Sequence, residues 1–476
     1  MRRICRVLLV LFASLLAPTA AMAEQPNIVL IIADDLSWND LGAYGHPTVY
    51  TPNIDRMARE GIRFDAAYLT ASSCSPSRSS ILTGRYPHNT GAEQLHWDLP
   101  LEQVTFSEKL REVGYWTAGA GKWHLGEAIK ERFDLVREAY YGEGDLSGMG
   151  DWLRLIEERP KNKPFFLWLA AWDAHRPWDD QPKPHKHTID DVVLPPYYPA
   201  TDLMRADFVE YYDEISRFDD KIGQLIALLE KQGVADNTLI IVMADNGRPY
   251  PRDKTTMYDS GMRTPFVAWW PNGITKGPSN AIVSAVDIAP TFLELAGAEQ
   301  GDTFEGISFA SVLKDPTARL RDYAFSERNW HDFEDHGRTV RSSRYRYIRN
   351  NYNDLPGTPS GDSVYHATWW EMGRLFDQGA LTLQQARPFI APRPKEELYD
   401  YVTDPLALNN LADEPAYAEV LAHHREVLDN WIEESGDYIP SVRTPDDFDR
   451  RTGEKLPPRV RPRPDKKAIY GTYGKY

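Results

Sequence analysis

Asn27-Ile28-Val29-Leu30-Ile31-Ile32-Ala33-Asp34-Asp35 is a continuous apolar run that stops on two adjacent carboxylates. A strand that lacks polar alternation is buried on both faces, which is the situation of a parallel sheet covered by helices on either side. The same pattern recurs at Pro164 to Asp173 (PFFLWLAAWD) and at Asn237 to Asp245 (NTLIIVMAD). Helical stretches separate these runs, over Pro52 to Glu60, Phe106 to Val113 and Arg205 to Gln232. In the last, Phe208, Tyr211, Ile215, Phe218, Ile222, Leu225 and Leu229 form one apolar stripe. Strands alternating with helices predict an α/β fold with a mostly parallel central sheet flanked by helices. Ligands of such sheets gather at the C-terminal strand ends, where the Asp pairs fall.

From about Asp322 the pattern changes to short alternating segments, Tyr323 to Arg328 and Arg338 to Arg349, followed by a helix over Ala416 to Glu434. This predicts a smaller C-terminal antiparallel sheet with a packed helix. The division expected is an N-terminal α/β domain over 24–321, a C-terminal α+β domain over 322–454, and a Pro/Arg/Lys-rich tail over 455–476. About 450 residues exceed what one core usually organises.

The first 23 residues carry Arg2, Arg3 and Arg6, an apolar run from Val7 to Leu16, and Ala21-Met22-Ala23, the layout of a secretory signal peptide. The expected location is periplasmic or secreted, and no later apolar run reaches membrane-helix length. Without that segment the formal net charge moves from −16 to −19, which disfavours nucleic acid as a partner. Cys5 leaves with it, so Cys74 is the one remaining cysteine and no internal disulfide can form.

Read in isolation, Cys74 is a small buried hydrophobe. Its context is Cys74-Ser75-Pro76-Ser77-Arg78-Ser79-Ser80-Ile81-Leu82-Thr83-Gly84. This run resembles the C-x-P-x-R and L-T-G motif of the type I sulfatases, in which a cysteine is oxidised to formylglycine (3-oxoalanine). Glu397-Leu398-Tyr399-Asp400, Asp404-Pro405 and Asn409-Asn410-Leu411-Ala412 resemble a C-terminal stretch of the same family, so the resemblance spans nearly the whole mature chain. It implies an alkaline-phosphatase-like sulfatase fold. It also implies a maturation partner, either a formylglycine-generating enzyme or an anaerobic sulfatase-maturating enzyme.

Adjacent acids at a strand end suit a hard cation, although any single Asp pair also reads as a solvated turn. The resemblance assigns Asp34, Asp35, Asp245, Asn246 and the converted Cys74 to a Ca2+ site. Cys74 is expected to open a helix whose N-terminus favours a sulfate group. Lys122-Trp123-His124 resembles the family's G-K-x-H segment, and Asp173-Ala174-His175 its second histidine segment. The implied roles are a hydrated aldehyde at position 74 as nucleophile and a covalent sulfo-enzyme that collapses to release sulfate. Arg78 reaches the aldehyde, Lys122 and Lys254 neutralise sulfuryl oxygens, His175 protonates the leaving atom, and His124 takes the second hydroxyl proton.

Within the family, Leu95-His96-Trp97-Asp98, Asp245 to Pro251 and Arg338 to Asn350 are similar to the N-sulfoglucosamine sulfohydrolases, the heparan N-sulfatases. Lys254 departs from the arginine used there, which leaves both N-sulfate and O-sulfate open. His96, Trp97, Asp98, His331 and Arg341 are the candidate sugar contacts, and surface or interface packing is the alternative for each. A sulfated saccharide from an acidic polysaccharide is the expected substrate. A phosphonate monoester or phosphodiester hydrolase of the same superfamily, or an inactive glycan-binding homologue, are the alternatives.

Overall fold

The computed structural model describes residues 25–140, 142, 144–458 and 461. The signal-peptide segment and most of the tail lie outside them. The continuous apolar runs form the centre of an eight-stranded sheet. Its strands are β1 (Asn27–Ala33), β2 (Ile62–Phe64), β3 (Trp116–Gly121), β4 (Leu135–Glu138), β5 (Phe165–Ala170), β6 (Thr238–Ala244), β7 (Phe266–Trp269) and β8 (Gly277–Ser279). Their order is β4-β3-β5-β1-β6-β7-β2-β8. All neighbours pair in parallel except across β7, which runs against β6 and β2.

Both faces of β1 are buried, as its unbroken hydrophobicity requires. Val29, Ile31 and Ala33 join a core with helices α1 (Pro52–Glu60), α4 (Trp152–Glu158) and α5 (Asp202–Lys231). Ile28, Leu30 and Ile32 face the opposite layer, built from α2 (Cys74–Thr83), α3 (Phe106–Glu112) and α6 (Ile288–Ala296). The stripe on α5 is the one read from its sequence, with Phe208, Tyr211, Ile215, Phe218, Ile222, Leu225 and Leu229 all buried.

A second, antiparallel sheet follows, from β9 (Ala324–Arg328), β10 (Gly337–Arg341), β11 (Tyr345–Asn350) and β12 (Glu396–Asp400), in that order. Helix α7 (Ala418–Ser435) packs Leu421, Leu428 and Trp431 on Val340, Tyr347 and Leu398. This sheet is tied to the main body at the entry to α2, where the Glu327 amide donates to Thr70 O (2.7 Å) and Ser326 Oγ to Leu69 O (2.6 Å). In the tail, Arg461 donates to Leu95 O (2.7 Å) and lies over the Trp330 ring. Among the described residues no helix is long and apolar enough to cross a membrane.

Candidate active site

Four adjacent parallel strands end side by side, and each hands over its polar residues at the C-terminal edge. β1 delivers Asp34 and Asp35, β3 delivers Lys122 and His124, β5 delivers Asp173 and His175, and β6 delivers Asp245 and Asn246. At the end of β3, Gly121 has φ +96°, and a Cβ there would sit 1.7 Å from Ala170 O. Only glycine lets β3 close on β5 and turn Lys122 inward. Asp35, His96 and His124 hold left-handed backbones at φ 58°, 64° and 55°. That conformation disfavours side chains, and it persists where the surroundings over-determine it.

Helix α2 points its N-terminus at this edge. Ser73 caps it in extended conformation and Cys74 is its first residue, 2 % exposed. The Cys74 thiol donates to Asp34 Oδ1 at 3.7 Å. Cys74, Asp34 and Asp245 offer ligand atoms within 4.8 Å of one another, as do Cys74, Asp35 and His175. One turn on, the fully buried Arg78 donates through Nε to Asp245 Oδ2 (2.7 Å) and through Nη1 to Lys122 O (2.8 Å).

Lys122 pairs with Asp34. Lys254 bridges Asp35 Oδ2 (2.8 Å) and Asp362 Oδ2 (2.7 Å). Burial alone would lower both lysines, but their carboxylate partners outweigh it and hold them above the usual range. Burial would raise Asp34, yet Lys122, His175, Arg78 and Lys254 carry it below the usual carboxylate range. Asp35 goes the other way: burial, joined by the charges of Asp34 and Asp362, pushes it well up against Lys254. Burial likewise pushes the Cys74 thiol well up, so an unmodified cysteine here is a neutral and poorly nucleophilic group.

The two histidines differ in setting. His175 is tied through Nδ1 to Arg176 O, and its Nε2 lies 3.3 Å from Asp362 Oδ2. Burial and the charge of Lys254 lower its pKa to about 3. His124 Nε2 is 2.7 Å from His96 Nδ1, while its buried Nδ1 has no hydrogen-bond partner among the described residues. Burial and Lys122 hold His124 well below the usual imidazole value.

Among the buried polar atoms without a partner in the described residues are also Arg78 Nη2 and Asn246 Oδ1, both in this site. The first is a donor available to an oxyanion. The second is an acceptor beside three carboxylates. An all-oxygen donor set of this kind fits a hard divalent cation.

The structure thus brings together Asp34, Asp35, Cys74, Arg78, Lys122, His124, His175, Asp245, Asn246 and Lys254. Of the expected sugar contacts, His96 and Asp98 are exposed, and both line a cavity of about 310 Å3 beside His124. His331 is buried and bonded through Nδ1 to Ser73 Oγ at 2.6 Å, so it touches the capping residue of α2. Two expectations are corrected. Trp97 contributes to the wall of the same cavity, but it packs into the core with 8 % of its surface exposed, too little to receive a sugar ring on its face. Arg341 is equally buried, paired with Asp259 (3.2 Å) and seated over Tyr401, so it serves the contact between the two sheets. Sequence reading missed Asp362, which lies on the one-turn helix Gly361–Val364 and carries no periodic or motif signal.

Residues 26–298 match the family described as Sulfatase, and residues 250–356 that described as N-sulphoglucosamine sulphohydrolase, C-terminal. An ulvan-active sulfatase of Formosa agariphila is 29 % identical over 87 % of this chain and 76 % of its own. The human N-sulphoglucosamine sulphohydrolase is 28 % identical over 94 % of this chain and 97 % of its own. A solved structure in complex with its substrate D-glucosamine-2-N,6-O-disulfate superposes with a TM-score of 0.67 at 23 % identity, covering 88 % of this chain and 99 % of its own. Fold and matches together define a hydrolase of sulfuric esters. The chain belongs to the sulfatase family.

Proposed function

We propose that this enzyme removes sulfate from a saccharide, as an exported protein whose Cys74 is matured to formylglycine and whose Asp34, Asp35, Asp245 and Asn246 hold a calcium ion. The observation that carries this reading is the convergence of Cys74, Arg78, Lys122 and Lys254 with that oxygen set, buried at the ends of adjacent strands. When present, the aldehyde and the cation supply the nucleophile and neutralise negative charge.

The protein's own groups do the rest. Lys122, Lys254 and the free Nη2 of Arg78 ring the position where a sulfuryl group would meet the first turn of α2, so its oxygens find fixed donors without reorganisation. His175 holds its proton on Nδ1 against Arg176 O, which leaves Nε2 as an acceptor at rest. A bound sulfate ester brings negative charge beside it, raises its basicity and lets Nε2 carry a proton to the leaving atom. Asp362, which pins Lys254, lies where it accepts from that nitrogen once Nε2 carries the proton. His124, neutral through burial and held by His96, is the base on the opposite side.

The cavities beside the two histidines carry Asp98, Glu127 and Glu138 on one side, and Asp179, Asp180 and Glu214 on the other. Most of these carboxylates are already answered, Glu127 and Glu138 by Lys130 and Asp179 and Glu214 by Arg217 and Lys183, so the walls offer acceptors for the hydroxyl or amino donors of one sugar. Relatives that act on ulvan and on N-sulphoglucosamine, and the glucosamine disulfate complex, support a sulfated sugar as substrate. The test is a panel of defined N- and O-sulfated oligosaccharides, with desulfated products detected by mass. Turnover of aryl sulfates at rates no saccharide approaches would overturn the saccharide reading, and faster turnover of aryl phosphonate esters would overturn the sulfatase reading.

A further inference from the structure

A cavity of about 200 Å3 lies between the segment after β6 and the second sheet. Four arginines line it: Arg252 from that segment, Arg328 at the end of β9, and Arg387 and Arg393 from the stretch before β12. Glu397 is its one lining carboxylate. That group accepts from Tyr258, Tyr399 and Asn350 and pairs with none of the four guanidiniums. Arg328 and Arg393 share the single carboxylate of Asp335, at 2.8 and 2.7 Å.

The other two have less. Among the described residues neither Arg252 nor Arg387 has a carboxylate within ion-pair distance. Arg252 is 4 % exposed, stacks over Tyr197 and Tyr258, donates to Ala407 O, and leaves Nε without a partner. Arg387 donates to Tyr399 Oη (3.0 Å) and Leu408 O (3.2 Å). A guanidinium cannot discharge itself by losing a proton at ordinary pH, so burying one without a counter-ion is costly. Burial, together with the charges of Arg393 and Arg450, lowers Arg328 to about 10 despite Asp335, whereas the tyrosines around Arg252 and Arg387, with Glu397 near Arg387 and Asp335 beside Arg393, outweigh burial and hold those three above the usual range. Met257, Ile348 and Pro388 add an apolar wall.

We propose that this cavity is a second ligand site, for one oxyanion carried on a sugar-sized body, either the carboxylate of a uronate or a sulfate group. Planar guanidiniums match both oxyanions with paired donors, and the apolar wall takes the ring. Its lining includes none of the residues gathered at the strand ends, although Arg252 stands two residues before Lys254, and the proposal does not depend on the substrate assigned there.

The test is calorimetric titration of the full chain with D-glucuronate, with inorganic sulfate and with D-glucose, repeated on Arg252→Gln and Arg387→Gln. Glucuronate or sulfate is expected to occupy a site that weakens roughly ten- to a hundredfold in each variant. Arg387→Gln should keep wild-type turnover of an aryl sulfate. Loss of glucuronate binding alone assigns the uronate, and loss of a sulfate site with catalysis intact assigns the sulfate. Absence of binding by both anions at tens of millimolar, binding by the variants as tight as by wild type, or equal binding of glucose would each overturn the proposal. If Arg252→Gln does not fold, Arg387→Gln decides the outcome alone.

Discussion

Asp362→Asn isolates the group that no sequence motif marks. The substitution keeps the shape of the side chain and removes its charge. Wild-type Lys254 has two carboxylates within 2.8 Å, Asp35 and Asp362, and His175 Nε2 lies 3.3 Å from the same Asp362 oxygen. An amide leaves Lys254 with one full counter-ion and leaves His175 without an anionic neighbour on that side. A buried hydrogen bond to a charged group is worth about 1.5–3 kcal/mol, which corresponds to a loss of roughly ten- to a hundredfold in kcat/KM if the whole effect is felt in the transition state. The loss should fall mainly on kcat and be larger for a saccharide sulfate than for 4-nitrophenyl sulfate, because the sugar needs the His175 proton more. Steady-state kinetics on the two substrates, with circular dichroism to check folding, measure this. A folded variant within twofold of wild type on both substrates would refute the reasoning.

Four other outcomes are expected. In active enzyme the tryptic peptide 64–78 should be lighter by about 18 Da than its cysteine form, and an unmodified thiol in fully active protein would contradict the reading of Cys74. Asp245→Ala should lower turnover on the order of a thousandfold, and exhaustive chelation should do the same until calcium is restored; full activity after chelation contradicts it. His175→Ala should slow saccharide sulfates far more than activated aryl sulfates, and equal losses would count against its role as acid. His88 lies buried 2.6 Å from Glu327, with Asp437 and Arg338 beside it; burial would lower it, but the carboxylates raise it to about 9. A raised histidine stabilises fully below pH 6.5 and loses that contribution as pH rises through 9. Denaturant midpoints should therefore fall between pH 7 and 10 in wild type, on the order of 3 kcal/mol more than in His88→Gln, and parallel curves would exclude the effect.

The parts of the fold legible in sequence were those with long unbroken signals. β1, β5 and β6 are six or seven residues long and apolar after a leading Asn27 or Thr238, and α5 repeats its stripe from Phe208 to Leu229. β2, β4, β7 and β8 are three or four residues long, too short for a period to register, and pairing rather than pattern defines them. The site divided in the same way. Residues at strand ends and in the Cys74 motif could be read because their spacing is local. Asp362 could not, since it meets Lys254 across 108 residues of chain on a four-residue helix. Arg341 was misread because a charged residue in sequence does not disclose that Asp259 already answers it.

Cys74 is nearly sealed, with 2 % of its surface exposed, and every residue of α2 around it is buried. A modifying enzyme would need access to this side chain, and the folded chain buries it together with the whole of its helix. On the reading proposed for Cys74, its conversion would therefore have a deadline: it would have to be complete before this stretch folds. A host without the modifying enzyme would make a correctly folded protein that cannot be rescued afterwards by supplying it. Unfolding and refolding in its presence would be the only way back.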